Sequence, residues 1–214
     1  MLCLAAVTPI VVTFSGLGKR FGSRTVLKGL SGELRPRRAV AITGPNGSGK
    51  STLLNLLAGV MRPSSGSVSY LCADSPVPRQ RWHALLGVAA PDMAVYEELS
   101  ALENLRFFAR LRGLGRSDGE LERLLVELGL AARDVRRPVA TFSSGMKQRV
   151  KLAQALVHEP AVLLLDEPSS NLDEEGHATI SALVERLRGR AALAIATNDP
   201  REMVWGDERI HLGH

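Results

Sequence analysis

An α/β fold, with a mostly parallel sheet covered by helices and a helical insertion near the middle, follows from three features of this sequence. Val40–Thr43 is a short apolar run that ends in a glycine-rich loop, and Ser51–Val60 continues it with Leu53, Leu54, Leu56, Leu57 and Val60 at helical spacing. Ala161–Leu165 and Ala192–Ala196 are unbroken apolar runs, the pattern of strands buried on both faces. Segments of helical period alternate with these runs, which is the order of a layered α/β domain.

The remaining elements follow in chain order. Ile10–Phe14 predicts a first strand, with residues 1–9 as a loose extension. Pro63-Ser64-Ser65-Gly66 predicts a turn after the first helix. The stretch 90–142 reads as helical: Ala101–Leu111 and Glu120–Leu128 are amphipathic, separated by Gly113 and Gly115. A helix over 145–158, a helix over 174–188 and a short strand near Ile210 complete the pattern. A chain of 214 residues supports one well-buried core with a small insertion, not two full domains. The expected organisation is a single domain over 10–214, with its core in 10–89 and 146–214 and the insertion at about 90–145.

With 45% hydrophobic and 23% charged residues, the chain can bury enough apolar surface to offset the entropy of ordering, which excludes a disordered segment. The net charge of +5 could suit nucleic acid or an anionic surface. However, the basic residues are scattered among acids. Their densest cluster, Arg35, Arg37 and Arg38, sits in a Pro-containing turn that reads first as solvated and second as a contact site. No nucleic-acid partner is expected. Cys3 and Cys72 form no CxxC, and the five histidines show no zinc-binding spacing, so reduced thiols and no structural metal are expected. No apolar stretch approaches the roughly 20 residues that span a bilayer, and Met1–Val12 lacks a basic leader and is broken by Pro9. Direct membrane insertion is not expected.

Three segments carry chemistry. Gly44-Pro45-Asn46-Gly47-Ser48-Gly49-Lys50-Ser51-Thr52 fits GxxxxGK[ST] between a strand and a helix. The glycines let backbone N–H groups curl around phosphate oxygens, and the helix N-terminus adds a favourable dipole. Lys50 is placed to reach the β- and γ-phosphates and Ser51 to ligate Mg2+. Next, the run Val162–Leu165 ends in Asp166-Glu167. Asp166 is the candidate for the Mg2+ shell and Glu167 for orienting and polarising the attacking water. An apolar run ending in Asp-Glu is often a plain strand end; its place after the phosphate loop favours the functional reading. The third segment is Phe142-Ser143-Ser144-Gly145-Met146-Lys147-Gln148-Arg149, where a hydroxyl and backbone amides stand at the start of a helix.

In this order the three segments resemble an ATP-binding cassette (ABC) ATPase, nearest to short bacterial exporter cassettes, including those for haem in cytochrome c maturation. The third segment stands where the family carries LSGGQ. Ser143 and Gly145 match it, Ser144 replaces a glycine and Met146 the glutamine. The resemblance runs from about residue 10 to the end. It implies a P-loop NTPase (RecA-like) core, an antiparallel N-terminal β subdomain and an inserted helical subdomain. It also implies a head-to-tail dimer in which Ser143 and Gly145 hold the γ-phosphate of ATP bound to the other subunit. Ser169-Ser170-Asn171-Leu172-Asp173 resembles the family's D-loop, with Asp173 at the matching aspartate. Phe21 stands where the family carries an aromatic that stacks on adenine; its spacing alone would make it a core residue. Two departures bear on hydrolysis. Where the family carries its Q-loop glutamine this chain has Ala90-Pro91-Asp92-Met93, with Asp92 the best match and Pro91 one residue away. Where the family carries its switch histidine, Asn198 follows the strand 192–196. Asn can donate a hydrogen bond to phosphate but cannot carry a proton.

The function implied is hydrolysis of Mg-ATP to power a separate transmembrane permease. The catalytic set is Glu167, Lys50 and Asn198, and the metal set is Ser51, Asp166 and Asp92. The resemblance places the chain in the cytoplasm, peripheral on the inner face of the cell membrane, and pairs it with a second cassette, expected to be an identical chain. Leu99-Ser100-Ala101-Leu102-Glu103-Asn104-Leu105, within Pro91–Leu111, resembles the face on which such cassettes receive a membrane subunit. The alternative is a non-transport cassette of translation or DNA repair, but the paired cassettes, linkers and long coiled coils of those proteins are not seen in this sequence. A metabolic P-loop kinase is disfavoured by the Ser143 and Asp173 segments.

Overall fold

The computed structural model describes residues 9–213. The extension expected over residues 1–9 therefore lies outside the described residues except for Pro9, as do Cys3 and His214. In chain order the elements are β1 (Ile10–Phe21), β2 (Arg24–Leu34), β3 (Val40–Thr43), α1 (Lys50–Leu57), β4 (Ser65–Cys72) and β5 (Ser75–Pro76). There follow α2 (Trp82–Leu85), β6 (Leu86–Ala89), α3 (Ala101–Leu111), α4 (Asp118–Glu127) and α5 (Ser144–Leu156). The last are β7 (Val162–Asp166), α6 (Glu174–Arg188), β8 (Ala192–Thr197), α7 (Pro200–Met203) and β9 (Glu208–His211).

Two sheets form. The N-terminal one is antiparallel in the order β2-β1-β4-β5, and the second is wholly parallel in the order β6-β7-β8-β3-β9. Two-residue periodicity divides the parallel sheet's side chains between two cores. On one face Val162 and Leu164 of β7 meet Leu53, Leu54, Leu56 and Leu57 of α1 and the inner face of the antiparallel sheet. On the other, Leu163, Leu165, Leu193 and Ile195 meet the helices, including Leu102, Leu105, Leu121, Val150 and Val184. On β8 the residues facing α1 are Ala192, Ala194 and Ala196, small enough for close helix approach. Burying both faces of β7 and β8 is what makes their sequences unbroken apolar runs.

The ends of α3 and α4 are fixed by reciprocal caps. Ser100 accepts from the Glu103 N–H while Glu103 accepts from the Ser100 N–H, and Ser117 and Glu120 do the same. Several expectations need correction. The first strand runs to Phe21, not Phe14, because β1 lies between β2 and β4 and finds hydrogen-bond partners on both edges. The turn at Pro63–Gly66 continues directly into β4, a serine-rich strand whose pairing outweighs its weak propensity. Residues 90–100 are not helical. Asn104, fully buried, accepts from the Tyr96 N–H and donates to the Tyr96 and Ser100 carbonyls, so a side chain supplies the bonds that a helix would have made. The Arg35–Arg38 turn is exposed, and two of its three arginines are paired: Arg35 with Glu33, and Arg38 with Glu208 at 2.7 Å.

Candidate nucleotide site

The phosphate loop leaves the C-terminal end of β3, an interior strand, at the carboxyl ends of the parallel strands, where ligands of open α/β sheets bind. The loop has to turn sharply and leave room around itself. Gly44 takes φ 144°, and a Cβ there would collide with the Leu212 carbonyl. Gly49 takes φ 104° at the helix start, where a Cβ would lie 2.8 Å from Val26 Cγ1. Both positions require glycine. Lys50 follows, only 6% exposed. Its ammonium donates to the Gly44 carbonyl at 2.8 Å, the Pro45 carbonyl at 3.2 Å and Asn198 Oδ1 at 2.9 Å. All three acceptors are neutral, so none of these bonds pairs the ammonium with a counter-ion. The loop also presents Ser48 Oγ, buried and without a hydrogen-bond partner among the described residues.

A cleft of about 650 Å3 opens over this loop, lined by Phe21, Arg24, Val26, Asn46, Gly47, Gly49, Lys50, Ser51, Thr52 and Glu167. Phe21 stands at the end of β1 with 48% of its surface exposed and the Lys19 ammonium 5.1 Å from its ring centroid. It is not a core residue, contrary to what spacing alone suggests. A flat exposed ring at the mouth of a phosphate cleft can stack on a base.

The carboxylates sit at the end of β7. Burial pushes the Asp166 carboxyl above the usual aspartate range, a hydrogen bond with Ser51 opposes this, and Glu167 raises it further; Lys50 lowers it and Asp92 raises it. Asp92 is exposed in the 90–100 loop, and it is near enough for its charge to be felt at Asp166. Glu167 takes φ 46°, in the left-handed region that costs a non-glycine residue strain. Its N–H donates to the Ala196 carbonyl at 2.8 Å. Asn198, just beyond β8, spans the loop: Oδ1 accepts from Lys50 and Nδ2 donates to Asn46 Oδ1.

Ser143, Gly145 and Asp173 are not among the residues that line this cleft. Ser143 caps α5, its hydroxyl accepting from the Met146 N–H at 3.2 Å, and is exposed. Gly145 is buried against the Asn171 carbonyl, where a Cβ would come within 2.7 Å. Asp173 caps α6 by accepting from the Gly176 N–H at 2.9 Å and takes a 3.3 Å bond from Arg149 of α5. Arg149 thus ties the start of α6 to the helix that Ser143 begins.

The ABC transporter family profile matches residues 27–170. The aliphatic sulfonates import ATP-binding protein SsuB 3 of Rhodococcus jostii is 37% identical over 95% of this chain and 71% of its own length. The cytochrome c biogenesis ATP-binding export protein CcmA of Cupriavidus pinatubonensis is 37% identical over 90% of this chain and 84% of its own. The chain belongs to the ABC transporter family. Its fold agrees with the dimeric structure of a post-hydrolysis state of the ATP-binding cassette MJ0796 bound to ADP and Pi, at a TM-score of 0.82, 25% identity and 94% coverage of both chains. The chain spans 59–60% of the length of several other curated relatives.

Within this cassette, sequence reasoning had missed Arg24 and Val26. They reach the cleft from the start of β2, a strand that carries Gly29 and Gly32 and a largely exposed face and so gave little strand signal. No helix among the described residues is long and apolar enough to cross a membrane.

Proposed function

We propose that this chain binds Mg-ATP in the cleft around Lys50 and hydrolyses it as one half of a head-to-tail pair, driving a separate membrane-spanning transporter. The observation that carries this reading is Lys50: a buried cation whose acceptors are all neutral, held under a glycine loop, with Phe21 and Glu167 lining the same cleft. Lys50 meets the β- and γ-phosphates, N–H groups of the loop after Pro45 cradle them, and Phe21 stacks on the adenine. Glu167 orients and polarises the attacking water, and Asn198 contacts the γ-phosphate.

The residues present suit a divalent cation. Among the described residues no three His, Cys, Asp or Glu side chains could hold a metal by themselves. A Mg2+ ion held here would need phosphate oxygens and water to complete its shell. Ser51 and Asp166 hold the ion, with Asp92 beside them, and when bound it supplies charge neutralisation for the phosphates. The raised affinity of Asp166 for a proton supports this, since a buried carboxylate beside two others benefits from a nearby positive charge.

Ser143, Gly145 and Asp173 serve the nucleotide of a second cassette, an identical chain in the simplest assembly. The dimeric state of the MJ0796 cassette supports this. The transporter subunit docks this chain to the cytoplasmic face of the membrane. Relatives include both an import and an export protein, and the nucleotide chemistry serves either direction.

The test is Glu167→Gln, which keeps the shape of the site and removes the water-polarising group. Sedimentation in Mg-ATP is expected to show a dimer that ADP does not support, because a ligand shared across an interface stabilises the pair. A monomer in both nucleotides would overturn the paired site.

A further inference from the structure

Glu202, on α7, is 2% exposed, more deeply buried than Lys50, and the mechanism above gives it no part. Its Oε1 accepts from the Ser169 N–H at 2.9 Å and from the Ser169 hydroxyl. Its Oε2 is buried and has no hydrogen-bond partner among the described residues. The adjacent Arg201 is committed elsewhere, to Asp199 and Glu174. A carboxylate taken out of water to bind one serine is a costly way to fill space, and an apolar side chain would pack there at less cost.

What the bond secures is the turn after β7. Glu167 begins that turn in the left-handed region, its N–H held by the Ala196 carbonyl and its own carbonyl accepting from the Ser170 N–H at 3.0 Å. Ser169, two residues on, is held by Glu202. Both anchors, Ala196 and Glu202, come from the single segment running from β8 into α7. The same segment carries Asn198, bonded to Lys50. Glu167 is thereby registered against the segment that touches the phosphate loop.

We propose that Glu202 is a positioning residue for hydrolysis: through Ser169 it fixes the strained turn that aims the Glu167 carboxylate at water. This rests on the ATPase reading given above. Glu202 touches neither nucleotide nor water, so its loss misaims Glu167 and leaves the Lys50 cleft intact.

The experiment compares the wild type, Glu202→Ala, Glu202→Gln and Ser169→Ala for ATP affinity and for kcat separately. For Glu202→Ala the expectation is kcat down about tenfold with ATP affinity within about twofold of wild type. Glu202→Gln keeps an acceptor for the Ser169 N–H and is expected to recover most of the turnover. Ser169→Ala removes only the hydroxyl donor, leaves the Ser169 N–H bonded to Glu202, and is expected to lower kcat about threefold. It decides the question if Glu202→Ala fails to fold. A residue that only supports the fold would lower affinity and turnover together, and glutamine would not rescue one without the other. The proposal is overturned if Glu202→Ala turns over like the wild type, if its affinity falls as far as its kcat, or if, with Glu202→Ala unfolded, Ser169→Ala is unchanged. A wild-type chain that binds ATP without turnover removes the ATPase reading itself, a result distinct from all three.

Discussion

The Lys50 cleft and the face that carries Ser143 and Asp173 are built on different plans. Around Lys50 the chain is finished: two glycines in backbone conformations closed to other residues, a buried cation with three neutral acceptors, and a strained glutamate held at the rim. At Ser143 and Asp173 the same kinds of group cap their own helices at exposed positions, Asp173 also holding Arg149 of α5. The first region brings a buried cation and glycine-loop backbone together in one cleft. The second has its hydroxyl and amides at a helix start, outside the lining of the Lys50 cleft. This difference is what a composite site divided between two chains requires, and it predicts that equivalent lesions in the two regions have different signatures.

The largest effect belongs to Lys50→Ala. Removing the charge that faces two phosphates is expected to weaken ATP binding to the isolated chain by at least about tenfold and to abolish nearly all turnover. Nucleotide titration and phosphate release measure the two separately, and near-normal turnover would show that the cleft is not the site. Ser143→Ala is the matched lesion on the other face. It costs about 1 kcal/mol of stability through the lost cap. ATP affinity of the isolated chain should stay at the wild-type value while turnover and nucleotide-dependent pairing fall. A loss of monomer affinity in Ser143→Ala would erase the distinction between the two regions.

Much of this was legible in the sequence, because phosphate binding needs contiguous residues: a glycine loop between strand and helix cannot be dispersed along a chain. α3 and α6 fall on the segments that periodicity marked, Ala101–Leu111 and 174–188, since each buries a single stripe. What escaped depends on partners distant in sequence. β4 is a strand only because β1 pairs with it, and Arg24 reaches the cleft only because β2 turns back along β1. The Glu202–Ser169 bond joins residues 33 apart and leaves no local pattern. Asp166 was legible as a carboxylate at a strand end, but its raised proton affinity was not, because burial is a property of the packed fold.

That raised affinity gives a smaller effect with a definite sign. A carboxyl whose folded pKa lies above its unfolded value stabilises the fold most at low pH, and this contribution is lost as pH rises from the unfolded value of about 3.9 through the folded one. At neutral pH the ionised Asp166 is therefore a burden on the nucleotide-free chain. Asp166→Asn should raise its melting temperature at pH 7. The gain should vanish near pH 4, and the Mg2+ dependence of ATP binding should weaken. A lower melting temperature for the variant at pH 7 would mean that the carboxylate is stabilised by its surroundings.

The smallest effect concerns the two departures from the family pattern, both at the rim of the finished region. Asn198 uses both ends of its amide, accepting from Lys50 at 2.9 Å and donating to Asn46. It can pass its donor to a γ-phosphate, but it stays neutral at every working pH. Asp92 brings a negative charge that is already felt at Asp166 and that also repels phosphate. ATP binding should therefore be intact and hydrolysis by the isolated chain slow. In Asn198→His a protonatable imidazole replaces the amide, and Asp92→Gln removes the repulsion. With both, kcat is expected to rise about tenfold at unchanged ATP affinity, a barrier lower by about 1.4 kcal/mol, which one improved hydrogen bond can supply. The histidine variant should also acquire a pH dependence of kcat near the imidazole range, about 6.5, that the wild type lacks. If kcat is unchanged or lower in both the single and the double variant, Glu167 carries the chemistry alone and the rim tolerates either residue. If affinity rises along with kcat, the substitutions have improved ground-state binding of the phosphates, and the difference between the two regions lies in binding and not in the hydrolytic step.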